Sequence, residues 1–213
     1  MTPAASTRVR WQVMAGAWWA TARSAPWRTP LTAAGLSVAL VGQHRLTQPT
    51  ADVGSFTQRA QLVAALAAAA AATLLDDPAA ALVDTSPTTR AWRTGLRVAQ
   101  GLLAWSATWA VTLALVATAA GTPPVAELTR QALALLAVAV GVAAIRGATA
   151  GAAAVGLVTF SALMVPDRWS LLSGEPAANW RLGLLGLAGG IALAWASLDR
   201  GRRHHSLRSL HAR

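Results

Sequence analysis

Six stretches of the chain, near 31–47, 60–75, 98–120, 125–145, 147–165 and 182–198, are almost purely apolar, and the charges sit between them. Alanine, leucine, valine and glycine fill the runs, and arginine occupies the joints. A helix of about 20 apolar residues matches the hydrocarbon thickness of a bilayer. In lipid the backbone must satisfy its own hydrogen bonds, which makes the helix the default conformation. The pattern predicts an all-α, polytopic membrane protein with six transmembrane helices in 31–199. Residues 1–30 would form a cytoplasmic N-terminus with an interfacial helix, and 200–213 a basic cytoplasmic tail. A chain of 213 residues with a mean hydropathy of +0.44 leaves no length for a separate soluble catalytic domain.

The net charge of +10 comes from arginine alone, since the chain contains no lysine. These arginines flank apolar runs, so they are read as topology determinants and contacts to anionic headgroups, with no nucleic-acid partner. Six spans with the N-terminus inside place 13 arginines in cytoplasmic segments, among them Arg23, Arg90, Arg93, Arg97 and Arg146, out of 18 in all. The five outside are Arg45, Arg59, Arg130, Arg168 and Arg181. The positive-inside rule then puts both termini in the cytoplasm of a multi-pass protein of the inner or plasma membrane. Arg8 to Arg28 has no clean apolar core and cleavage site, so no cleavable signal peptide is expected there.

The runs differ in strength. The first ends directly on Gln43, His44 and Arg45, which must snorkel to the outer interface if it spans. The second rests on an alanine-rich run at 64–72, weakly hydrophobic per residue and suited to packing inside a bundle rather than against lipid. The fourth and fifth are joined only by Arg146 and Gly147, which requires a very tight turn. Ahead of the first run, Trp11, Met14 and Trp18 recur at helical spacing with Val13 and Trp19 beside them. Arg8, Gln12 and Arg23 lie off that stripe, the pattern of a helix lying flat in the interface. Pro26 and Pro30 are expected to break it.

The most organised polar segment is 75–97, LDDPAAALVDTSPTTRAWRTGLR, between the second and third spans. Asp76 and Asp77 before Pro78 predict a capped helix start, with a short helix running to Asp84. After the break at Ser86 and Pro87, Thr88–Arg97 reads as a second helix entering the third span. Arg90, Arg93 and Arg97 follow three- and four-residue spacing and share one face, suited to docking an acidic or polar partner.

An amphipathic N-terminal helix, six spans and a helical loop between spans two and three resemble the permease subunits of type-2 ABC exporters. The tract LVDTSPTTRAWRTGLRVAQGLL is similar to the pattern of leucine, small residues, proline and a basic helix in that family. The likeness implies an elbow helix at the N-terminus and a coupling helix docking on a cytoplasmic ABC ATPase subunit. It also implies a second permease subunit, identical or related, and ATP bound by the partner. Leu82, Val83, Ser86, Pro87, Thr88 and Arg90 would then be the coupling contacts. The loop at 166–181 is short for the family, enough for a shallow re-entrant turn carrying Trp169, Leu171, Leu172 and Trp180.

Absent residue types narrow the chemistry. Without lysine the chain cannot hold a G-x-x-x-x-G-K-[ST] loop, so it is expected to have no ATPase site and no enzyme activity of its own. Without cysteine it has no disulfide, thiolate metal site or cysteine nucleophile. No metal or cofactor is expected; His204, His205 and His211 sit in a basic tail that repels cations. The span interiors contain no Asp or Glu, which disfavours ion-coupled carriage. Intramembrane proteolysis lacks a visible base, since His44 is the only histidine near a span and Ser106 and Ser161 lie elsewhere. Thr108, Trp109 and Thr112 are the candidate lining of a path for a hydrophobic or amphipathic substrate. The competing classes are a non-catalytic scaffold subunit of a larger membrane complex and, less favoured, a secondary carrier.

Overall fold

The computed structural model describes residues 3–47, 53–76, 90–117, 124–164, 181 and 183–191. They form α1 (Pro3–Ser24), α2 (Arg28–Thr47), α3 (Val53–Thr73), α4 (Arg90–Val116), α5 (Val125–Arg146) and α6 (Ala148–Met164). A further helical stretch covers 183–191 and is termed α7. No strand occurs among the described residues, and the all-α class expected from the apolar runs holds.

The hub is α3, which packs against α2, α4, α5 and α6. A methyl side chain lets a neighbouring backbone approach from any direction, and Ala60, Ala64, Ala67, Ala68, Ala70, Ala71 and Ala72 are all buried. The alanine-rich run is thus inside the bundle, as its composition predicts. Antiparallel to α3, α2 turns Ala33, Ser37, Val41 and His44 inward. Along α4 the buried set among the described side chains is Arg97, Gln100, Gly101, Trp105, Trp109, Thr112 and Val116, one stripe at helical spacing. A Cβ on Gly101 would lie 3.2 Å from the Ala71 carbonyl oxygen, which measures how closely α4 meets α3.

One residue joins α5 to α6. Gly147 has φ +93° and ψ 165°, a conformation open to glycine and strained for other residues, and its N–H bonds the Ala143 carbonyl at 2.9 Å. The tight turn expected at Arg146 and Gly147 is present. The hairpin then closes backbone to backbone: a Cβ on Gly151 would fall 2.5 Å from the Ala139 carbonyl oxygen. On the other side of α5, a Cβ on Gly189 would collide with the Ala137 carbonyl oxygen.

Element boundaries modify several expectations. The first helix runs from Pro3 to Ser24, and Pro30 stands in the first turn of α2, where a missing N–H breaks no intrahelical bond. The basic helix after the proline break and the third span form one continuous α4. Two described helices are long and apolar enough to cross a bilayer, Trp92–Val116 and Val125–Arg146, with mean hydropathies of 1.4 and 1.9. Ala148–Ala162 is apolar but shorter. The number six is therefore not reached by this measure. In α2 the cause is the polar residues Gln43, His44 and Arg45, in α3 Gln58, Arg59 and Gln61, and in α6 its length, while only 183–191 of the last run lies among the described residues.

Candidate functional site

The ends of α1 and α3, the start of α4 and the α5–α6 turn come together at one end of the bundle, here called the basic end. Its centre is Arg97, only 3% exposed. One guanidinium nitrogen, Nη1, donates to the Asp76 backbone carbonyl, and Nη2 donates to Ser24 Oγ at 3.2 Å. The Asp76 carboxylate reaches the other way, where Oδ1 accepts the Ala148 N–H at 3.3 Å. That bond occupies one of the four amide groups left without a partner at the start of α6, where a negative charge also meets the helix dipole favourably. One turn further along α4, Gln100 Nε2 donates to the Trp18 carbonyl at 3.2 Å and to Thr21 Oγ1 at 3.0 Å. Residues on both sides of the 77–89 segment are thereby bonded to each other and to two other helices.

This corrects one expectation. Arg90, Arg93 and Arg97 share a helix face by spacing, but at Arg97 that face turns inward rather than toward a partner. The cause lies four residues on, where Gly101 draws α4 against Ala71 and aims the stripe over the last turn of α3. Arg93 is partly buried. The local pattern makes Asp76 part of the cap of a helix that lies outside the described residues; its carboxylate caps α6, 72 residues away. Leu82, Val83, Ser86, Pro87 and Thr88 lie outside the described residues, as do the 166–180 loop and the histidines of the tail, and Arg90 is the first residue of α4.

At the far end, side chains meet side chains. Gln61 Nε2 on α3 donates to Gln131 Oε1 on α5 at 2.9 Å, and Gln131 Nε2 donates to Glu127 Oε1 at 3.1 Å. Glu127 also pairs with Arg130. The side chain of Glu127 is 14% exposed and that of Arg130 54%, so the chain of bonds runs from surface to core. Reading the span interiors as free of acid passes over this first-turn carboxylate. The signal is there in the sequence, because Gln61 and Gln131 are polar residues set within apolar runs.

Nearby, His44 Nε2 lies 3.0 Å from Ser55 Oγ, with the donor set by the histidine tautomer, and its ring meets Phe56 edge-on at 4.7 Å. The spacing is that of a serine–histidine pair, a partner that the sequence does not reveal for His44. Its Nδ1 has no partner among the described residues, so no carboxylate there orients the ring as a catalytic base needs. The pair ties α2 to α3.

The candidate path residues occupy one stretch of α4. Trp109 and Thr112 are buried and Thr108 is half-buried. Thr108 Oγ1 donates to the Ala104 carbonyl at 3.0 Å, Thr112 Oγ1 to the Thr108 carbonyl at 2.8 Å, and Trp109 Nε1 to Thr129 Oγ1 at 3.3 Å. Trp105 stacks on Trp109, with centroids 6.3 Å apart and planes 13° from parallel. Trp105 is absent from the path expected by sequence, although its four-residue offset from Trp109 places both on one face. No protein-family model, curated protein or solved structure matches the chain.

Proposed function

We propose that this chain is the membrane-spanning permease subunit of an ABC exporter, moving a hydrophobic or amphipathic substrate with energy from a separate ATPase. In this reading the chain crosses the membrane six times, with both termini and the basic end in the cytoplasm. A second permease subunit completes the path, and α1 is the elbow at the interface. Exposed apolar side chains around the bundle support the membrane setting. Leu157 is 70% exposed and Leu103 and Phe160 60%, surfaces that a bilayer covers favourably and water does not.

The observation that carries the reading is the bonding at the roots of the 77–89 segment. A push on that segment by an ATPase is applied at Asp76 and at the start of α4, and both are bonded to α1 and α6 through Ser24 and Ala148. A rigid-body rocking of several helices together needs such a junction. Trp19, 61% exposed with Arg23 placed 5.7 Å from its ring centroid, suits α1 to headgroup depth. The substrate path is assigned to Thr108, Trp109 and Thr112, with Trp105 beside them.

Affinity isolation of the full chain from its native membrane tests the assignment. A soluble ATPase with a phosphate-binding loop is expected to co-purify, and Arg90→Glu is expected to abolish ATP-driven transport while the chain still inserts. Isolation with other membrane subunits and no ATPase favours the scaffold reading. Transport that follows an ion gradient without ATP favours the carrier.

A further inference from the structure

We propose that the indole N–H of Trp105 is the polar recognition point of the substrate path, and that the path takes a neutral, flat aromatic molecule bearing a carbonyl-type hydrogen-bond acceptor. The proposal rests on the path assigned to α4 in the permease reading and gives that path a substrate class.

Of the four side chains in this stretch, three have already spent their donors. Thr108 Oγ1 donates to the Ala104 carbonyl, Thr112 Oγ1 to the Thr108 carbonyl and Trp109 Nε1 to Thr129 Oγ1. Trp105 Nε1 is buried and has no hydrogen-bond partner among the described residues. The residue as a whole is only 6% exposed. Two indoles one turn apart on the same face therefore differ: one holds an acceptor on α5 and the other holds none.

The surroundings supply no remedy. Trp105 belongs to a buried cluster whose α3 members include Ala64, Ala67 and Ala68. Methyl groups accept no hydrogen bond, and the carbonyls of a helix interior are bonded within that helix. A buried water needs about two to four polar partners, which an alanine face does not provide. Phenylalanine would fill space here without leaving a donor unpaired, so packing alone gives no reason for an indole. An acceptor carried by a ligand gives one.

The rest of the stretch narrows the ligand. No charged residue occurs from 98 to 116, and a charge on the ligand would be left there without a counter-charge on α4. The planes of Trp105 and Trp109 lie 13° from parallel, and aromatic faces and edges so placed suit a flat ring. Ala104 and Thr108, both half-buried, border the two indoles, and Leu102 and Leu103 beside them are exposed. A molecule dissolved in the bilayer approaches the indoles from that side.

Two probes of nearly one shape test the donor. 9-Fluorenone and fluorene are flat tricyclic molecules that differ by a carbonyl oxygen. Their binding to the full chain in lipid nanodiscs is measured by equilibrium dialysis, with empty nanodiscs subtracting the share held by lipid. The parent protein is expected to bind fluorenone about five- to ten-fold more tightly than fluorene, the gain from one neutral hydrogen bond in a dry site. Trp105→Phe is expected to abolish that preference and leave fluorene binding nearly unchanged. Benzothienylalanine at position 105 keeps the fused ring with sulfur in place of the N–H, and loses the preference without the loss of volume. Trp92→Phe, which changes an exposed indole near the start of α4, retains it.

A preference that survives either change at 105, or that is lost in Trp92→Phe as well, overturns the proposal. So does a parent protein that binds the two molecules alike or binds neither. None of these results touches co-purification with an ATPase, so the permease reading stands or falls apart from them. An isolated chain without an ATPase overturns that reading, while the preference and its loss at Trp105 still decide the site.

Discussion

The two ends of the bundle are held by different chemistry. At the basic end, three of the bonds that join helices involve a backbone group: the Asp76 carbonyl, the Ala148 amide and the Trp18 carbonyl. At the far end Gln61 to Gln131 and His44 to Ser55 run between side chains, and Arg59 reaches the Leu40 carbonyl at 3.5 Å. A side-chain pair can part by rotating about its own torsions and find other partners. A backbone group moves only when its helix moves. The basic end thus ties helix backbones together, and the far end is held largely through side chains.

Four substitutions test that contrast, taken here in falling order of effect. Arg97→Ala strips a partner from the Asp76 carbonyl and from Ser24 at a site only 3% exposed, and is expected to destabilise by about 2–3 kcal/mol in detergent unfolding. Gln131→Leu leaves Gln61 and Glu127 without that partner. Hydrogen bonds between membrane helices average only about 0.6 kcal/mol because separated helices find substitutes, so about 1–2 kcal/mol is expected here. A loss equal to that of Arg97→Ala would erase the distinction between the ends.

Asp76→Ala removes a cap and a favourable dipole contact, with an expected cost of about 1 kcal/mol. Smallest is Arg130→Ala. Its side chain is 54% exposed and its partner three residues away on the same helix, so a change below about 0.5 kcal/mol is expected, and weaker still in high salt. A larger loss at Arg130 would mean that its pairing with Glu127 supports the glutamine bonds further along.

Helix positions are legible wherever a long apolar run meets an arginine joint. The α5 and α6 spans fall within a residue or so of the runs, and the turn at Gly147 follows from there being nothing else between them. The alanine-rich run is legible as interior because small side chains have little to gain by facing lipid. Direction across the bundle is not legible. Spacing shows that Arg93 and Arg97 share a face, yet the way that face turns depends on Gly101 meeting Ala71 on another helix. The same holds for Gln61 and Gln131, 70 residues apart. Their pairing requires α3 and α5 to lie side by side with these two positions level, a fact carried by topology rather than by local pattern. Likewise, Asp76 beside Asp77 and Pro78 has the local signature of a helix start, and nothing in the sequence ties it to Ala148.

The alanine surface of α3 has a consequence for motion. An alanine has no rotamers to freeze, so neighbours that reseat against it in a second arrangement incur no side-chain ordering penalty there. Interlocked leucines would have to disengage and repack at every shift, whereas a row of methyls presents shallow relief along its length. The helix at the centre of this bundle is in that sense a bearing: it keeps α2, α4, α5 and α6 in contact while leaving small the barrier to sliding past it.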